Sequence, residues 1–413
     1  MLFLGGRREA VSDIQIRSSK RPEIEGGESM NFELTPEQEL IKKAAREFTD
    51  ELVAPRVEQM EATHESPKDL YKAMGEAGFL GVMVPEEYGG SNLGSLAAML
   101  IIEEISRVSS ALGTGLQVHI LGYVPLVQMG SEELKRKYLP GMVTGDYIAT
   151  CAVTEASGGS DPTSMSTVAV KQGDEWVING RKCFITMNDT ANACCVVAKT
   201  KDEPKKEFTG FFVDKTMDGY RTGRMEHKIG FHGLDNGDLA FVNCRVPESN
   251  IIGAQGKGIA VAFGGIGRWG RLGMSSAALG VIKGSLDAAV KFANERILYG
   301  KPIAELQAIQ FKIAEIFYLL QTSRLVAYKA AWLVDQNTPD AELGPHVACS
   351  KLFATQSAIR AANLAVEIMG GYGVVAEYSA ERFMRDANMI WAAAGTADIM
   401  NIIMARGALA GKE

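Results

Sequence analysis

Apolar positions recur at helical spacing almost from Asn31 onward. Thr35 followed three residues later by Gln38 forms a capping box, Pro36 suits a first helical position, and Leu40, Ile41, Ala44, Ala45 and Phe48 share one face. A helix therefore starts at Pro36. The same period predicts helices over residues 70–78, ended by Gly78, over 93–108 beyond the Gly89-Gly90 loop, and over 116–129 and 134–142. From Tyr147 the texture changes to short β-rich runs at 148–153, 167–171, 175–183, 195–199, 208–213 and 239–246. Clusters of Gly, Asn, Asp and Lys separate them, with Asn179-Gly180 and Asn236-Gly237 as turn signals. That pattern predicts a compact antiparallel β domain. Beyond Gly258 a period of about 3.6 returns over 260–298, 304–336, 345–369 and 379–408, long helices with short connections, the makings of an antiparallel four-helix bundle. The fold class is α+β: a helical domain over 30–147, a β domain over 148–258 and a helical bundle over 259–413.

Composition narrows the partners. With 413 residues, 46% apolar and 23% charged, the chain has ordinary globular composition, and no apolar run reads as long enough to cross a bilayer. A net charge of -7 gives no broad basic field, so nucleic acid is not an expected partner. Cys151, Cys183, Cys194, Cys195, Cys244 and Cys349 lack both metal-site spacing and disulfide density, and read as reduced thiols of a cytoplasmic protein with no metal site. Residues 1–29 mix Arg and Lys with Gly, Glu and Ser and read as a disordered extension. Their acidic residues argue against a transit peptide.

Two glycine-rich stretches carry candidate chemistry. Thr154 to Asp161 (TEASGGSD) is a turn between β runs that exposes backbone N–H groups and hydroxyls, suited to phosphate or the polar edge of a flat ring, and equally to a plain β-turn. Glu367 to Gly373 (EIMGGYG) either admits a ligand closely or simply ends a helix.

Together, the stretch from Ala152 to Ser164 and that from Glu367 through Arg382 to Asp386 resemble the two signature patterns of the acyl-CoA dehydrogenase family. Similar pieces lie at Lys182–Thr186, Lys228–Gly230 and Asn294–Gly300 leading to Gln307, so the resemblance spans nearly everything after Met30. It implies FAD as cofactor, an acyl-CoA thioester as substrate, an electron-transfer flavoprotein as acceptor, and a homotetramer built as a dimer of dimers. It also implies flavin-side roles for Val153, Thr154, Ser160, Phe184, Thr186, Arg296, Tyr299, Gln307, Glu367, Gly371 and Thr396. Asp398 replaces a common glutamine there. Substrate-side roles are implied for Gln117, Ser160, Arg271 and Gly395.

In the family a Glu-Gly-Thr sequence supplies the catalytic carboxylate. Here Gly395-Thr396 follow Ala394. The family's other base position precedes an arginine that resembles Arg271, and it is Gly270. Both places lack a proton acceptor. Three readings stay open. A base could have moved, as in relatives that dehydrogenate cyclohexene-carboxyl-CoA by 1,4-elimination, with His119 the candidate and Gln117 its polar neighbour, unless His119 only hydrogen-bonds within the helices. The reaction could need no α-proton abstraction, as in desulfinases of this family, although Thr114 stands near the place of their arginine. Or the chain could be a non-catalytic flavin scaffold. Trp269 and Trp391 flank the emptied positions and suit a flat acyl group or the core.

Overall fold

The computed structural model describes residues 32–411, and the expected extension at 1–29 lies outside them. The first helix, α1 (Pro36–Phe48), starts as the sequence predicts: Thr35 N donates to Gln38 Oε1 at 3.0 Å and Gln38 N to Thr35 Oγ1 at 3.2 Å. Helices α2 (Val57–Thr63), α3 (Lys68–Glu76), α4 (Gly94–Ser106), α5 (Ser110–Met129) and α6 (Glu132–Thr144) complete the N-terminal part. At 20 residues and mean hydropathy 1.2, α5 is long and apolar enough to cross a membrane, contrary to the sequence reading. Its apolar stretch is 89% buried inside the protein, so it serves as a core helix.

The middle of the chain forms a sheet in the order β6-β7-β3-β2-β4-β5-β8, with β1 pairing β4. The strands are β1 (Ala149–Ala152), β2 (Val168–Gln172), β3 (Glu175–Thr186), β4 (Ala193–Lys201), β5 (Glu207–Asp214), β6 (Tyr220–Met225), β7 (Asn236–Pro247) and β8 (Ile251–Ile252). The expected all-antiparallel domain is corrected to a mixed sheet. β1 lies parallel to one end of β4, with Ala149 opposite Ala193, and β2 lies parallel to its other end, with Val168 opposite Lys199. The chain keeps its direction from β1 to β2, so residues 153–167 loop out of one strand line without reversing it. That excursion carries the Gly/Ser-rich turn.

Neither Asn-Gly pair makes a hairpin turn. Gly180 sits at a bulge inside β3, where an added Cβ would lie 2.3 Å from Thr167 Oγ1, and Gly237 begins β7 against Arg224 O. Both glycines permit close backbone approach.

The C-terminal part contains α7 (Gly258–Phe263), a π-helical stretch (Gly264–Gly270), α8 (Arg271–Glu295), a small ribbon of β9 (Ile297–Leu298) and β10 (Lys301–Pro302), α9 (Gln307–Asp335), α10 (Asp340–Met369), α11 (Ser379–Ala392) and α12 (Ala397–Leu409). α10 packs against α8, α9, α11 and α12. Two expected continuous helices are interrupted. The first carries the π-helical stretch, and the last breaks between Ala392 and Ala397. The interruptions contain Gly270 and Ala394. The helical parts share one core: α4 packs on α8 and α9, and Asp335 at the end of α9 caps α4 by accepting from Ser95 N (2.7 Å) and Leu96 N (3.1 Å).

Candidate active site

The 153–167 excursion is anchored from below by a buried ion pair. Lys182 is fully buried and Glu155 is 3% exposed; Lys182 Nζ donates to Glu155 Oε1 at 2.8 Å and to Val153 O at 3.1 Å. Glu155 also accepts from Ser166 N and Oγ, both at 2.6 Å, and from Thr167 N at 3.0 Å. Burial alone would raise the Glu155 carboxyl, but the hydrogen bonds from Lys182, Ser166 and Thr167 outweigh it and hold it at about 2. The pair stays ionised, and every acceptor in it is used. Both residues lie in stretches that the sequence singles out, but their pairing is not legible there, because nothing in either segment points to a partner 27 positions away.

Above this anchor the predicted flavin-side groups converge. Thr154 O accepts from Cys183 N at 2.9 Å, which ties the turn to the strand carrying Phe184 and Thr186. Phe184 adopts φ 58° and is 63% exposed, an aromatic face held out of the core. Asn236 Nδ2 donates to Phe184 O and to Thr186 Oγ1, each at 3.0 Å, which fixes that stretch. The side chains of Thr154 and Ser160 have no partner among the described residues, and Val153 is half-buried beside them. An open aromatic ring beside free hydroxyls and a glycine turn fits a flat ring system with a polar edge, as FAD has.

A second group lies on the helical bundle. Arg296 stands 5.4 Å over the Tyr372 ring, and Tyr299, with φ 53°, is 92% exposed. Gln307 opens α9, Glu367 pairs with Lys312 and, at 3.9 Å, with Arg360, and Gly371 lies in the short turn after α10. Thr396 caps α12 by accepting from Ile399 N at 3.3 Å, with exposed Asp398 in the first turn. Among the described residues no hydrogen bond or ion pair joins this group to the turn, Phe184 and Thr186.

The corner around Lys351 and Arg271 has the opposite character. Ala394 adopts φ 55° and Gly395 φ 111° in the break between α11 and α12. Beneath them Lys351, fully buried, donates to Trp391 O at 2.7 Å and Gly395 O at 2.8 Å. Burial, and then the neighbouring Arg271, push its ammonium down to about 8. Arg271 opens α8 next to Gly270; it is 7% exposed, its Nε is buried without a partner, and burial pushes it down. Neither cation is paired with a carboxylate among the described residues. Gln117 Nε2 donates to Gly270 O at 3.3 Å, while Gln117 Oε1 and Thr114 Oγ1 are buried without partners. Trp269 is a core residue whose indole N–H donates to Gln117 O at 3.2 Å; Trp391 is 40% exposed.

His119 does not fit a catalytic base. Its Nδ1 accepts from Ala149 N and its Nε2 lies against Met142 O, each at 3.1 Å, so the ring is a neutral Nε2–H tautomer whose lone pair is already used. Full burial pushes its imidazole down to about 4. It joins α5 to the start of the sheet.

The described residues thus combine a helical part, a mixed sheet and a helical bundle with an exposed shelf of aromatic and hydroxyl groups at the glycine turn. Family models for the acyl-CoA dehydrogenase N-terminal, middle and C-terminal domains match residues 35–146, 150–244 and 256–409. The chain is 37% identical to an acyl-CoA dehydrogenase of Bacillus subtilis over 92% of its own length and 99% of that protein. It is 36% identical to an acryloyl-CoA reductase (NADH) of Anaerotignum propionicum, covering 91% and 95%. A solved FAD complex of PigA superposes with a TM-score of 0.86 at 28% identity, covering 91% of this chain and 98% of that one. The chain belongs to the acyl-CoA dehydrogenase family, flavin oxidoreductases acting on CH–CH donors.

Proposed function

We propose that this protein is a cytoplasmic FAD enzyme that oxidises an acyl-CoA thioester whose acyl group is cyclic or already unsaturated, by a cyclohexene-carboxyl-CoA-like 1,4-elimination. The observation that carries this reading is the chemistry of the two base positions. Ala394 and Gly270 cannot take a proton, and the buried ionisable side chains next to them among the described residues are the cations Arg271 and Lys351. A carboxylate that removes the α-proton, the usual partner of hydride loss from the β-carbon, has no counterpart there. A double bond conjugated with the thioester carries its acidifying effect to a more distant carbon, so the proton would leave away from Ala394 to a base at a non-standard place, while the hydride would go to the flavin.

Val153, Thr154, Ser160, Phe184 and Thr186 would hold the flavin end of FAD, and when bound the cofactor supplies the hydride acceptor. Arg296, Tyr299, Gln307, Glu367 and Gly371, with Thr396 and Asp398, would hold the rest, the first five reaching a neighbouring subunit's cofactor in a dimer of dimers. Gln117, Arg271 and Gly395 face the acyl group. An electron-transfer flavoprotein reoxidises the enzyme.

Anaerobic flavin bleaching by butyryl-CoA, octanoyl-CoA, cyclohexane-carboxyl-CoA and cyclohexene-carboxyl-CoA tests the reading. Bleaching by the cyclic unsaturated thioester alone is expected. Bleaching by butyryl-CoA or octanoyl-CoA would show that a base acts at the α-carbon after all.

A further inference from the structure

Arg271 is a buried charge without a counter-ion among the described residues. It is 93% withdrawn from solvent, its Nε has no acceptor, and no ion pair is formed by its guanidinium among the described residues. Lys351 lies close enough to feel its charge, and spends two of its three N–H donors on the carbonyls of Trp391 and Gly395. Lys351 therefore faces the turn from which the family's carboxylate is absent, with the charge of Arg271 close behind it. Three other buried carboxylates are matched by cations: Glu103 accepts from Arg324 and from Tyr328 Oη, Glu104 from Arg46 and Arg107, and Glu155 from Lys182.

Neighbouring polar atoms are unsatisfied as well. Gln117 lies along the first turn of α8, where an added Cβ on Gly273 would stand 1.9 Å from Gln117 Cγ. Thr114, one helical turn earlier on α5, falls on the same face. Gln117 Oε1, Thr114 Oγ1 and Arg271 Nε are all buried without partners. A hydroxyl and a guanidinium can both donate to one anion. An entering neutral hydrocarbon would leave all of them unpaired and withdraw the cation further from water, which is unfavourable.

We propose that this corner is an anion subsite, and that the acyl group of the true substrate carries a carboxylate that pairs with Arg271. The substrate class is a coenzyme A monothioester of a dicarboxylic acid. The proposal rests on the acyl-CoA reading above and narrows its acyl group: thioesters that also carry a carboxylate bind best, and a neutral cyclic thioester enters as a weaker ligand. The carboxylate that relatives keep on the protein at residue 394 is then supplied, as a counter-ion, by the ligand. Ala394 leaves room for it, and its methyl brings no competing charge.

The test is equilibrium binding to the FAD-loaded protein without an electron acceptor, followed by calorimetry and by the flavin absorbance change. Length-matched pairs isolate the charge: succinyl-CoA against butyryl-CoA, glutaryl-CoA against pentanoyl-CoA, adipoyl-CoA against hexanoyl-CoA. At least one dicarboxylic member should bind about 10- to 100-fold more tightly than its neutral counterpart, the range of a charge-assisted hydrogen bond. Arg271→Gln should remove that preference, and so should Ala394→Glu, which places a protein carboxylate in the subsite and does not depend on tolerance of change at Arg271. Equal or tighter binding of all neutral members to the unmodified protein overturns the anion subsite while leaving the acyl-CoA reading intact. Absence of binding by every thioester overturns both.

Discussion

Two buried corners of this protein handle charge in opposite ways. Under the Gly/Ser-rich turn, Lys182 and Glu155 neutralise one another, and the carboxylate's remaining capacity is filled by Ser166 and Thr167. Under the break between α11 and α12, Arg271 and Lys351 repel one another, and polar atoms around them have no partners. The first corner is complete within the chain and holds a shelf in place. The second lacks a counter-charge, as expected of a surface shaped for a ligand. A buried ion is costly unless paired, so the same residue types predict stabilisation at one corner and tension at the other.

The largest effect should come from breaking the complete corner. Lys182→Met leaves Glu155 buried without its counter-ion and should cost about 3–5 kcal/mol in chemical denaturation. Lys182→Met combined with Glu155→Leu should recover much of that loss. A single-variant loss below about 1 kcal/mol would mean that water reaches the pair, since exposed ion pairs are worth only that much. The opposite sign is expected at the other corner. Arg271→Met removes a charge that no described residue balances, so the ligand-free protein should keep its stability or gain up to about 2 kcal/mol. A clear loss would show that Arg271 already has a partner, and the contrast between the corners would disappear.

The contrast also shows what a sequence can convey. The capping box at Thr35, the helical and β textures and most strand positions depend on neighbours within a turn or a strand, and these could be read directly. So could the positions that carry the family signatures. Glu155 with Lys182, and Arg271 with Lys351, are brought together across 27 and 80 positions by the sheet and by the packing of α8 on α10, so no local pattern announces them. His119 went the other way. A histidine on an apolar helix near the acyl pocket reads as a base, yet its lone pair is used by Ala149 N, a partner supplied only when α5 meets the sheet. The mixed sheet was hidden for the same reason: β1 and β2 acquire their common direction from β4, which comes later in the chain. Gly180 read as a turn because Asn-Gly is a strong local signal, and the close approach of Thr167 that it permits is a tertiary fact.

The smallest expected effect separates backbone from chemistry at the emptied position. Ala394 holds φ 55°, where a Cβ is strained and glycine is not. Ala394→Gly should therefore stabilise the protein by about 0.5–1 kcal/mol, the strain relief being partly offset by the freer unfolded chain. Thioester binding should be unchanged, because the variant adds no charge to the Arg271 corner. A raised denaturation midpoint with unaltered affinity would mean that position 394 matters to the ligand only through the room it leaves. A lowered midpoint would show that the alanine methyl, which packs partly against the helical core, outweighs the strain of its backbone. Weakened thioester binding with intact stability would instead give that methyl a place in the acyl pocket. The corner would then be tuned by shape as well as by charge.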